Sequence, residues 1–285
     1  MSKQLSISEL ELKANDIRED IIRMLEHAGS GHSAGPLGLA DIFAALYFDV
    51  LNHNPKKPDW DERDILLLSN GHCTPVRYAA MAEAGYFDKD ELMTLRQFGS
   101  RLQGHPERTK LPGLENTSGP LGSGLSQGAG MALAMRMNND LHRSVYVVMG
   151  DGELDEGNIW EAAMLAGKYK LGNLVGIIDR NNIQIDGPTE TVMPLEDLAA
   201  KWEAFGWHVL EIDGNNVEAI IDACALARSI VEKPVVIIAR TIPGKGVDFM
   251  EYDFAWHGKP PDHEQAKKAL HELRTLKGKI RGEHE

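Results

Sequence analysis

The sequence has few cysteines and no long apolar run, and each shortage excludes a class of protein. Only two of its 285 residues are cysteines, Cys73 and Cys224, which cannot build a disulfide framework and have no CxxC spacing for zinc. The longest uncharged run, 116–135, contains five glycines and a proline, which indicates a loop and a helix rather than a membrane span. The first twenty residues are polar and charged and show no signal peptide, so a cytoplasmic protein is expected.

Basic residues are outnumbered, because 43 acidic side chains against 30 basic ones give a formal net charge of −13. A surface of this sign repels nucleic-acid phosphates and anionic lipid, so we expect neither nucleic acid nor a membrane as a partner. Hydrophobic residues make up 42% of the chain, which is enough for a packed core and excludes a disordered chain.

Short apolar runs alternate with helical patterns along most of the chain. Buried strands are predicted at Ile65–Leu68, 145–149, 175–178 and 235–238. Helices are predicted at 6–27, 36–51, 74–84, 121–138, 156–170, 195–205, 216–229 and 263–277, and the mixed-charge segment from Lys267 on is expected to be solvated. This alternation predicts an α/β fold, a parallel sheet with helices on both faces. No linker or repeat is visible, so residues 1–285 are predicted to form a single domain.

The segment Gly150-Asp151-Gly152 follows one predicted strand, and Asn181 follows the next. Because the carboxyl ends of neighbouring parallel strands meet at one edge of a sheet, Asp151 and Asn181 are expected to lie side by side. The two glycines let the backbone approach a phosphate without a Cβ in the way. A carboxylate oxygen, an amide oxygen and a nearby backbone carbonyl are ligands suited to Mg²⁺, and diphosphate oxygens would complete its shell.

The glycine-rich stretch 119–130 argues against a nicotinamide cofactor. Gln127 stands where a dinucleotide-binding loop needs its third glycine, no strand precedes the stretch, and no acidic residue is placed for a ribose.

Several segments, in chain order, resemble the amino-terminal, diphosphate-binding domain of transketolase. They are SGHSAGPLG (30–38), SNGH (69–72), GHPE (104–107), TSGPLGSGLS (117–126), GDGELDEG (150–157), DRNNIQIDG (179–187) and WHGKP (256–260). The resemblance implies a thiamine diphosphate-binding fold that uses thiamine diphosphate and Mg²⁺. It also implies transfer of a two-carbon ketol unit from a ketose phosphate to an aldose phosphate.

The resemblance also implies roles for individual residues. The side chains of Asp151 and Asn181 and the carbonyl of Ile183 would hold the metal. Glu156 resembles the family's buried catalytic acid between the two active sites of a dimer. The residues implied to contact the cofactor are His72, Pro120, Leu121, Gly122, Gly150, Asp151, Gly152 and Asn181.

Four histidines, His32, His72, His105 and His257, lie in glycine-containing loops. No pair of them has the i, i+4 or HxH spacing that would place two metal ligands on one element. Imidazoles exchange protons near pH 7 and can bind hydroxyl groups. The resemblance assigns His32, His105 and His257 to substrate hydroxyls or proton transfer, and it places His72 near the cofactor.

No carboxylate that would activate the cofactor's pyrimidine ring is recognisable, and in the family this glutamate lies in a second domain. The chain is therefore expected to be the small subunit of a split transketolase that is active only with a partner chain carrying the pyrimidine-binding and C-terminal domains. The expected assembly is an α₂β₂ heterotetramer with self-association across a two-fold axis. Two alternatives stay open: a subunit of a deoxyxylulose-phosphate synthase or 2-oxoacid dehydrogenase, and a non-catalytic cofactor-binding module.

Three features depart from the family pattern. Ser33 follows His32 where proline is common. Pro243 stands where some transketolases have a lysine beside the cofactor. Arg77 follows SNGH and is expected to be a charge on a helix surface, with contact to an anionic substrate as the alternative. The identities of the donor and acceptor sugars stay open.

Overall fold

The computed structural model describes residues 5–140 and 142–283, and its centre is a five-stranded parallel sheet. In chain order the strands are β1 (Ile65–Leu68), β2 (Val145–Gly150), β3 (Leu174–Arg180), β4 (Ile183–Gln184), β5 (Gly187–Pro188), β6 (His208–Asp213) and β7 (Val235–Arg240). The sheet has the order β1-β2-β3-β7-β6, and every neighbouring pair is parallel. Strands β4 and β5 form a separate antiparallel hairpin directly after β3. The carboxyl ends of β1, β2 and β3 therefore lie together at one edge.

Ten helices are assigned among the described residues. They are α1 (Ile7–Ala28), α2 (Ala34–Gly38), α3 (Ala40–Ala45), α4 (Thr74–Ala84), α5 (Ser123–Met137), α6 (Gly157–Tyr169), α7 (Thr189–Val192), α8 (Leu198–Ala204), α9 (Val217–Ser229) and α10 (His263–Glu283). No helix in the described part of the chain is long and apolar enough to cross a membrane.

The helices cover both faces of the sheet, which explains why its central strands are continuous apolar runs. Leu66 and Val148 belong to the core that includes α1, α3, α4, α9 and α10, whereas Leu67 and Val147 belong to the core that includes α5, α6 and α8. Successive residues of a strand point to opposite faces, so an apolar run supplies both cores at once. The predicted α/β fold and all four predicted strands are confirmed.

Helix α1 begins and ends where its sequence predicts. The Ser6 side chain accepts a hydrogen bond from the Glu9 N–H, and the Glu9 carboxylate accepts one from the Ser6 N–H, which is a complete capping box. Gly29 ends the helix with φ 61°, in the left-handed region that favours glycine.

The carboxy-terminal segment differs from the expectation of a solvated helix. Helix α10 packs against α1, and its residues Ala266, Ala269 and Leu273 are fully buried. Their spacing places them on one face, while the mixed charges lie on the other. The prediction rested on the charged residues, which lie on the outer face of α10. The apolar residues on the inner face pack the helix against the core.

One predicted helix is divided in the structure, and one strand was not predicted. The helix predicted at 36–51 is interrupted into α2, α3 and the π-helical turn Leu46–Val50. A Cβ at Gly38 would lie 2.8 Å from the Ile242 carbonyl oxygen, so the break follows from a close approach of two backbone segments. Strand β6 was missed because it is a half-exposed edge strand of mixed polarity, and its pairing with β7 is long-range.

Arg77 is buried, so the prediction of a surface charge was wrong. Its guanidinium donates to the carbonyl oxygens of Leu66 at 2.8 Å and Gly113 at 3.1 Å. The side chain thus joins β1 to the loop 111–118 and does not face the cavity that holds the histidines. The sequence alone does not distinguish a helical arginine that is buried against carbonyl oxygens from one that faces solvent.

Candidate functional site

A cavity of about 280 Å³ opens at the carboxyl ends of β1, β2 and β3. Segments far apart in the chain meet there because the parallel strands deliver their following loops to one edge. Its lining includes most of the site residues predicted from sequence together with several others: His32, Asn70, His72, His105, Gly119, Leu121, Gly150, Asp151, Gly152, Glu153, Asp179, Asn181, Ile183, Gln184, Ile185 and His257.

Asp151 is a buried carboxylate at the end of β2. Its Oδ2 accepts hydrogen bonds from the Asn182 N–H at 2.7 Å and from the Arg180 guanidinium at 3.0 Å, and its Oδ1 accepts one from the Gly152 N–H at 2.8 Å. Burial raises the pKa of Asp151 to about 6, and the positive charge of Arg180 opposes that rise. The donors crowd Oδ2, so Oδ1 keeps more capacity for a further ligand.

Asn181 lies beside Asp151, as the strand order predicts. Its Nδ2 donates to Asp179 at 2.8 Å, and its Oδ1 accepts from the Ile183 N–H at 3.0 Å. Asp179 is itself held by the Thr241 hydroxyl, and burial raises its pKa to about 7. The carboxylate fixes which way the Asn181 amide is turned, so the amide oxygen stays on the side away from Asp179.

The donor set at this edge fits a magnesium ion. Asp151 and Asn181 offer a carboxylate and an amide oxygen, and the backbone carbonyl of Ile183 adjoins the same cavity, so every candidate ligand is oxygen. Within the described residues no group of three or more His, Cys, Asp or Glu side chains could hold a metal by itself. A magnesium ion here would therefore need additional oxygen ligands from a bound molecule.

Glu153 is a buried carboxylate that sequence reasoning missed. It accepts hydrogen bonds from the Gly122 N–H at 2.7 Å, the Gly150 N–H at 3.1 Å and the Ser69 hydroxyl, and the Ser69 oxygen accepts one from the Gly124 N–H at 3.0 Å. This side chain ties together the loops that follow β1 and β2 and the start of α5. In the sequence it is one of several acidic residues in GDGELDEG, and nothing there singles it out.

Three histidine rings contact one another inside the cavity, two pairs tilted and one pair edge-to-face. The ring centroids of His32 and His72 lie 4.8 Å apart, those of His72 and His257 5.1 Å, and those of His32 and His257 5.7 Å. The Nδ1 atoms of His32 and His257 are buried without a hydrogen-bond partner in the described chain. The sequence separates these residues by up to 225 positions, and only the fold brings them together.

The environment keeps these imidazoles neutral at pH 7. Burial is the main cause that lowers the pKa of His32 to about 4, and repulsion from the positive charge of Arg96 and from a protonated His257 contributes to the same shift. Burial is also the first cause of the lowered pKa values of His72 and His257. A neutral imidazole has one nitrogen that donates and one that accepts, so it can bind a hydroxyl group or take up a proton.

Other predicted site residues lie at the rim or outside the cavity. His105 is exposed near Gly119, and burial with the charge of Arg96 lowers its pKa. Pro120 is exposed and does not line the cavity, and Glu156 is exposed in this chain. Gly122 directs its N–H to Glu153, so its contact with a cofactor stays a prediction.

Asn70 is a second residue that sequence reasoning missed. It belongs to the segment SNGH, of which only the histidine was singled out. Its side chain is fully buried, lines the cavity, and has no hydrogen-bond partner for either amide atom among the described residues.

A larger cleft of about 530 Å³ lies at the opposite edge of the sheet, and we do not assign the function to it. Its three arginines are bound to internal acceptors: Arg136 to carbonyls at the end of α6, Arg143 to Asp140, and Arg228 to Asp64 and Tyr146. These positive charges hold the fold together and are not directed to a ligand.

Comparison with known proteins gives consistent matches. Residues 10–275 match the family model described as "Transketolase, thiamine diphosphate binding domain". The chain is 43% identical to the 6-deoxy-6-sulfo-D-fructose transketolase subunit SqwG of Clostridium sp. (strain MSTE9), over 93% of this chain and 96% of that protein. It is 42% identical to an apulose-4-phosphate transketolase subunit of Phocaeicola vulgatus, over 94% of this chain and 95% of that protein.

Solved structures give the same fold. The transketolase of Campylobacter jejuni matches with a TM-score of 0.88 and 35% identity, covering 97% of this chain and 46% of that one. The transketolase of Leishmania mexicana matches with a TM-score of 0.86 and 33% identity, again covering 46% of its length. The chain thus spans about half the length of these solved transketolases.

Proposed function

The chain belongs to the transketolase family, through its thiamine diphosphate-binding domain, and from this premise we propose that it is the cofactor-binding subunit of a two-subunit transketolase. The reaction is transfer of a two-carbon ketol unit from a ketose phosphate to an aldose phosphate. The observation that carries this proposal is one cavity in which oxygen ligands at the ends of β2 and β3 face three neutral imidazoles. Other thiamine diphosphate enzymes, kept open above, have no comparable support.

The cofactor is thiamine diphosphate bound through Mg²⁺. The metal would be held by Asp151, Asn181 and the Ile183 carbonyl, and the diphosphate would supply the further oxygens that the donor set lacks. A Cβ at Gly150 would be in van der Waals contact with Asn70 at 3.6 Å, so the glycine leaves the space of one methyl group at that strand end. Thiamine diphosphate, when bound, supplies a nucleophilic carbon and an electron sink for breaking the carbon–carbon bond of the ketose.

The histidines of this chain bind the sugar and move its protons. His32 and His257 each have a buried Nδ1 without a partner among the described residues, and a sugar hydroxyl can both donate to and accept from such groups. His105 stands at the exposed rim, where the acceptor aldose would enter. Because burial keeps their pKa values below 6.5, these side chains can act as general bases at neutral pH.

The chain would act as a single diphosphate-binding domain over residues 1–285, with the pyrimidine-binding and C-terminal domains on a partner chain. The names of both relatives, from Clostridium and Phocaeicola, contain the word subunit, and the chain covers at least 95% of each. Two residues that line the cavity, Leu121 and Ile185, are exposed apolar side chains. A partner domain that covers this edge would bury them and shield the cofactor from water.

Self-association across a two-fold axis would complete the assembly. Helices α5 and α6 expose the apolar side chains of Met137, Met164, Leu165 and Tyr169, which a second copy of the chain would cover. Glu156 precedes α6 and would be buried between two copies, where it needs a shared proton or a partner charge. We therefore propose an α₂β₂ heterotetramer that works in the cytoplasm in carbohydrate metabolism.

Mixing the purified chain with a chain that carries the pyrimidine-binding and C-terminal transketolase domains tests this function. Ketol transfer should require both proteins, thiamine diphosphate and Mg²⁺, and light scattering should give a mass well above one small plus one large subunit. Steady transfer by the chain alone would contradict the two-subunit proposal. A fully active one-to-one heterodimer would contradict the heterotetramer and leave the reaction intact. The sugar pair would follow from a panel of ketose phosphates and sulfonates.

A further inference from the structure

Two buried asparagines near the end of β1 differ in whether their side-chain amides are hydrogen-bonded. Asn116 donates to the Leu68 carbonyl at 3.2 Å and accepts from the Leu68 N–H at 3.3 Å, so its amide completes the backbone bonding of an edge strand. Asn70 is as deeply buried, yet neither its Nδ2 nor its Oδ1 has a partner in the described chain. Because both atoms are unpaired, turning the amide over would not satisfy it.

Leaving a buried amide unpaired is unfavourable, so the chain must gain something by keeping it. Each unsatisfied buried polar atom opposes folding, and an apolar side chain at the same place would avoid that penalty. An unsatisfied buried group in a native structure therefore needs an explanation, and a bound ion, water or ligand is one. Asn70 lines the same cavity as Gly150 and Asp151.

The position of Gly150 indicates that Asn70 lies beside the anionic part of a ligand bound at Asp151. A Cβ at Gly150 would lie 3.6 Å from the Asn70 Cβ and 3.8 Å from its Nδ2, so the missing side chain leaves room beside the amide. The same strand end leads directly into Asp151, the candidate metal ligand. An anion bridging the metal would therefore lie within reach of the Asn70 amide.

We propose that Asn70 is a cofactor-contacting residue whose side-chain amide donates to an oxygen of the metal-bound diphosphate. This inference rests on the proposed function and adds a binding residue to it. An amide suits the position because it donates to an acceptor-only anion without adding charge, whereas a carboxylate would repel the diphosphate. The remaining Oδ1 accepts from water when the site is filled.

Calorimetric titration of the full chain tests this contact with two ligands, thiamine diphosphate and inorganic diphosphate, both with Mg²⁺ in excess. In the Asn70→Ala variant the affinity for each should fall by a similar factor, roughly 10- to 100-fold, since a hydrogen bond to a charged group is lost. The melting temperature of the ligand-free variant should stay the same or rise, because two unpaired atoms are removed. Asn70→Ser should give the same pattern with a smaller change of volume.

Asn116→Ala is the matched control. It removes an equally buried asparagine whose bonds are already made, so its melting temperature should fall by about 4–8 °C while diphosphate affinity stays unchanged. Wild-type affinity of both Asn70 variants for inorganic diphosphate would overturn the proposal and leave the proposed function standing. A loss confined to thiamine diphosphate would also overturn it, since the contact would then lie elsewhere on the cofactor. If the wild-type chain binds neither ligand even when assembled with its partner, both proposals are contradicted.

Discussion

The two edges of the parallel sheet use their buried polar side chains in opposite ways. At the amino edge, Asp64 accepts from the N–H groups of Asn52 and Ser144, both at 2.8 Å, and from Arg228 at 2.7 Å. At the carboxyl edge, the Asn70 amide and the Nδ1 atoms of His32 and His257 are left unpaired within the described chain. Paired groups stabilise the fold, whereas unpaired ones lower stability and are available to a ligand. At the carboxyl edge these unpaired groups line one cavity, which supports placing the functional site there.

Some buried polar side chains at the carboxyl edge are hydrogen-bonded, and these bonds position the groups of the site. Glu153 accepts hydrogen bonds from the N–H groups of Gly122 and Gly150 and so fixes the two loops. Asp179 accepts one from Asn181 and so fixes the candidate metal ligand. Such bonds fix the geometry of the site before any ligand arrives. Pre-organisation of this kind lowers the entropy that binding must offset.

Replacing Asp151 with alanine should have the largest effect on this edge. The variant should lose Mg²⁺-dependent binding of thiamine diphosphate altogether, because the carboxylate is the only charged ligand proposed for the cation. Circular dichroism should show an intact fold, and calorimetry measures the binding. Asp155→Ala, which removes an exposed carboxylate from the same segment, is the control and should bind within a few-fold of wild type. Undiminished affinity of Asp151→Ala would remove the metal site.

Alanine at His105 or His257 should affect turnover and not cofactor binding. Loss of one general acid or base typically lowers kcat by about 10²- to 10⁴-fold. Steady-state kinetics of the reconstituted enzyme measures this, and titration should show cofactor affinity close to wild type. His271→Ala, on the outer part of α10 and away from the cavity, should leave both quantities unchanged. Wild-type turnover by both active-site variants would make the roles assigned to these histidines wrong.

At the amino edge, Asp64→Ala should lower the stability of the fold and leave cofactor binding unchanged. The variant leaves two N–H groups and the partly exposed Arg228 guanidinium without their acceptor, and unsatisfied backbone groups of this kind lower the free energy of unfolding by about 1–3 kcal/mol. Chemical denaturation measures that loss. Cofactor affinity of the folded fraction should not change, and a specific loss of affinity would show that the two edges are not independent.

The smallest expected effect is a change in how the stability of the ligand-free chain depends on pH. Burial lowers the pKa of His32 from 6.5 to about 4, so between these values the unfolded chain binds more protons than the folded one. The stability linked to this group is complete above pH 6.5 and is lost as the pH falls towards 4. Asp151 and Asp179 have raised pKa values and act in the opposite direction. Comparing urea unfolding of wild type and His32→Gln between pH 6.5 and 4 isolates the histidine, and the variant should lose less stability. Equal losses would contradict the cause assigned here.

The sequence predicts most of the sheet and the ligand-bearing loops because their signals are local. Apolar runs identify β1, β2, β3 and β7, and the turn Gly150-Asp151-Gly152 identifies the site at the end of one of them. What could not be predicted depends on contacts distant in the chain. Glu153, Asn70 and Arg77 look like ordinary polar residues until the fold reveals which atoms surround them. The half-exposed strand β6 has no strong pattern and exists because β7 pairs with it.

Hydrogen–deuterium exchange of the full chain, with and without Mg²⁺ and thiamine diphosphate, tests the contrast between the edges most directly. Exchange reports local opening, and a bound ligand slows it where the ligand is held. We expect new protection at 69–72, 119–124, 150–157 and 179–187, with no change at 136–140, 142–144 and 228–232 at the amino edge. Protection at the amino edge, or no protection at the carboxyl edge under saturating cofactor, would contradict the assignment of the site.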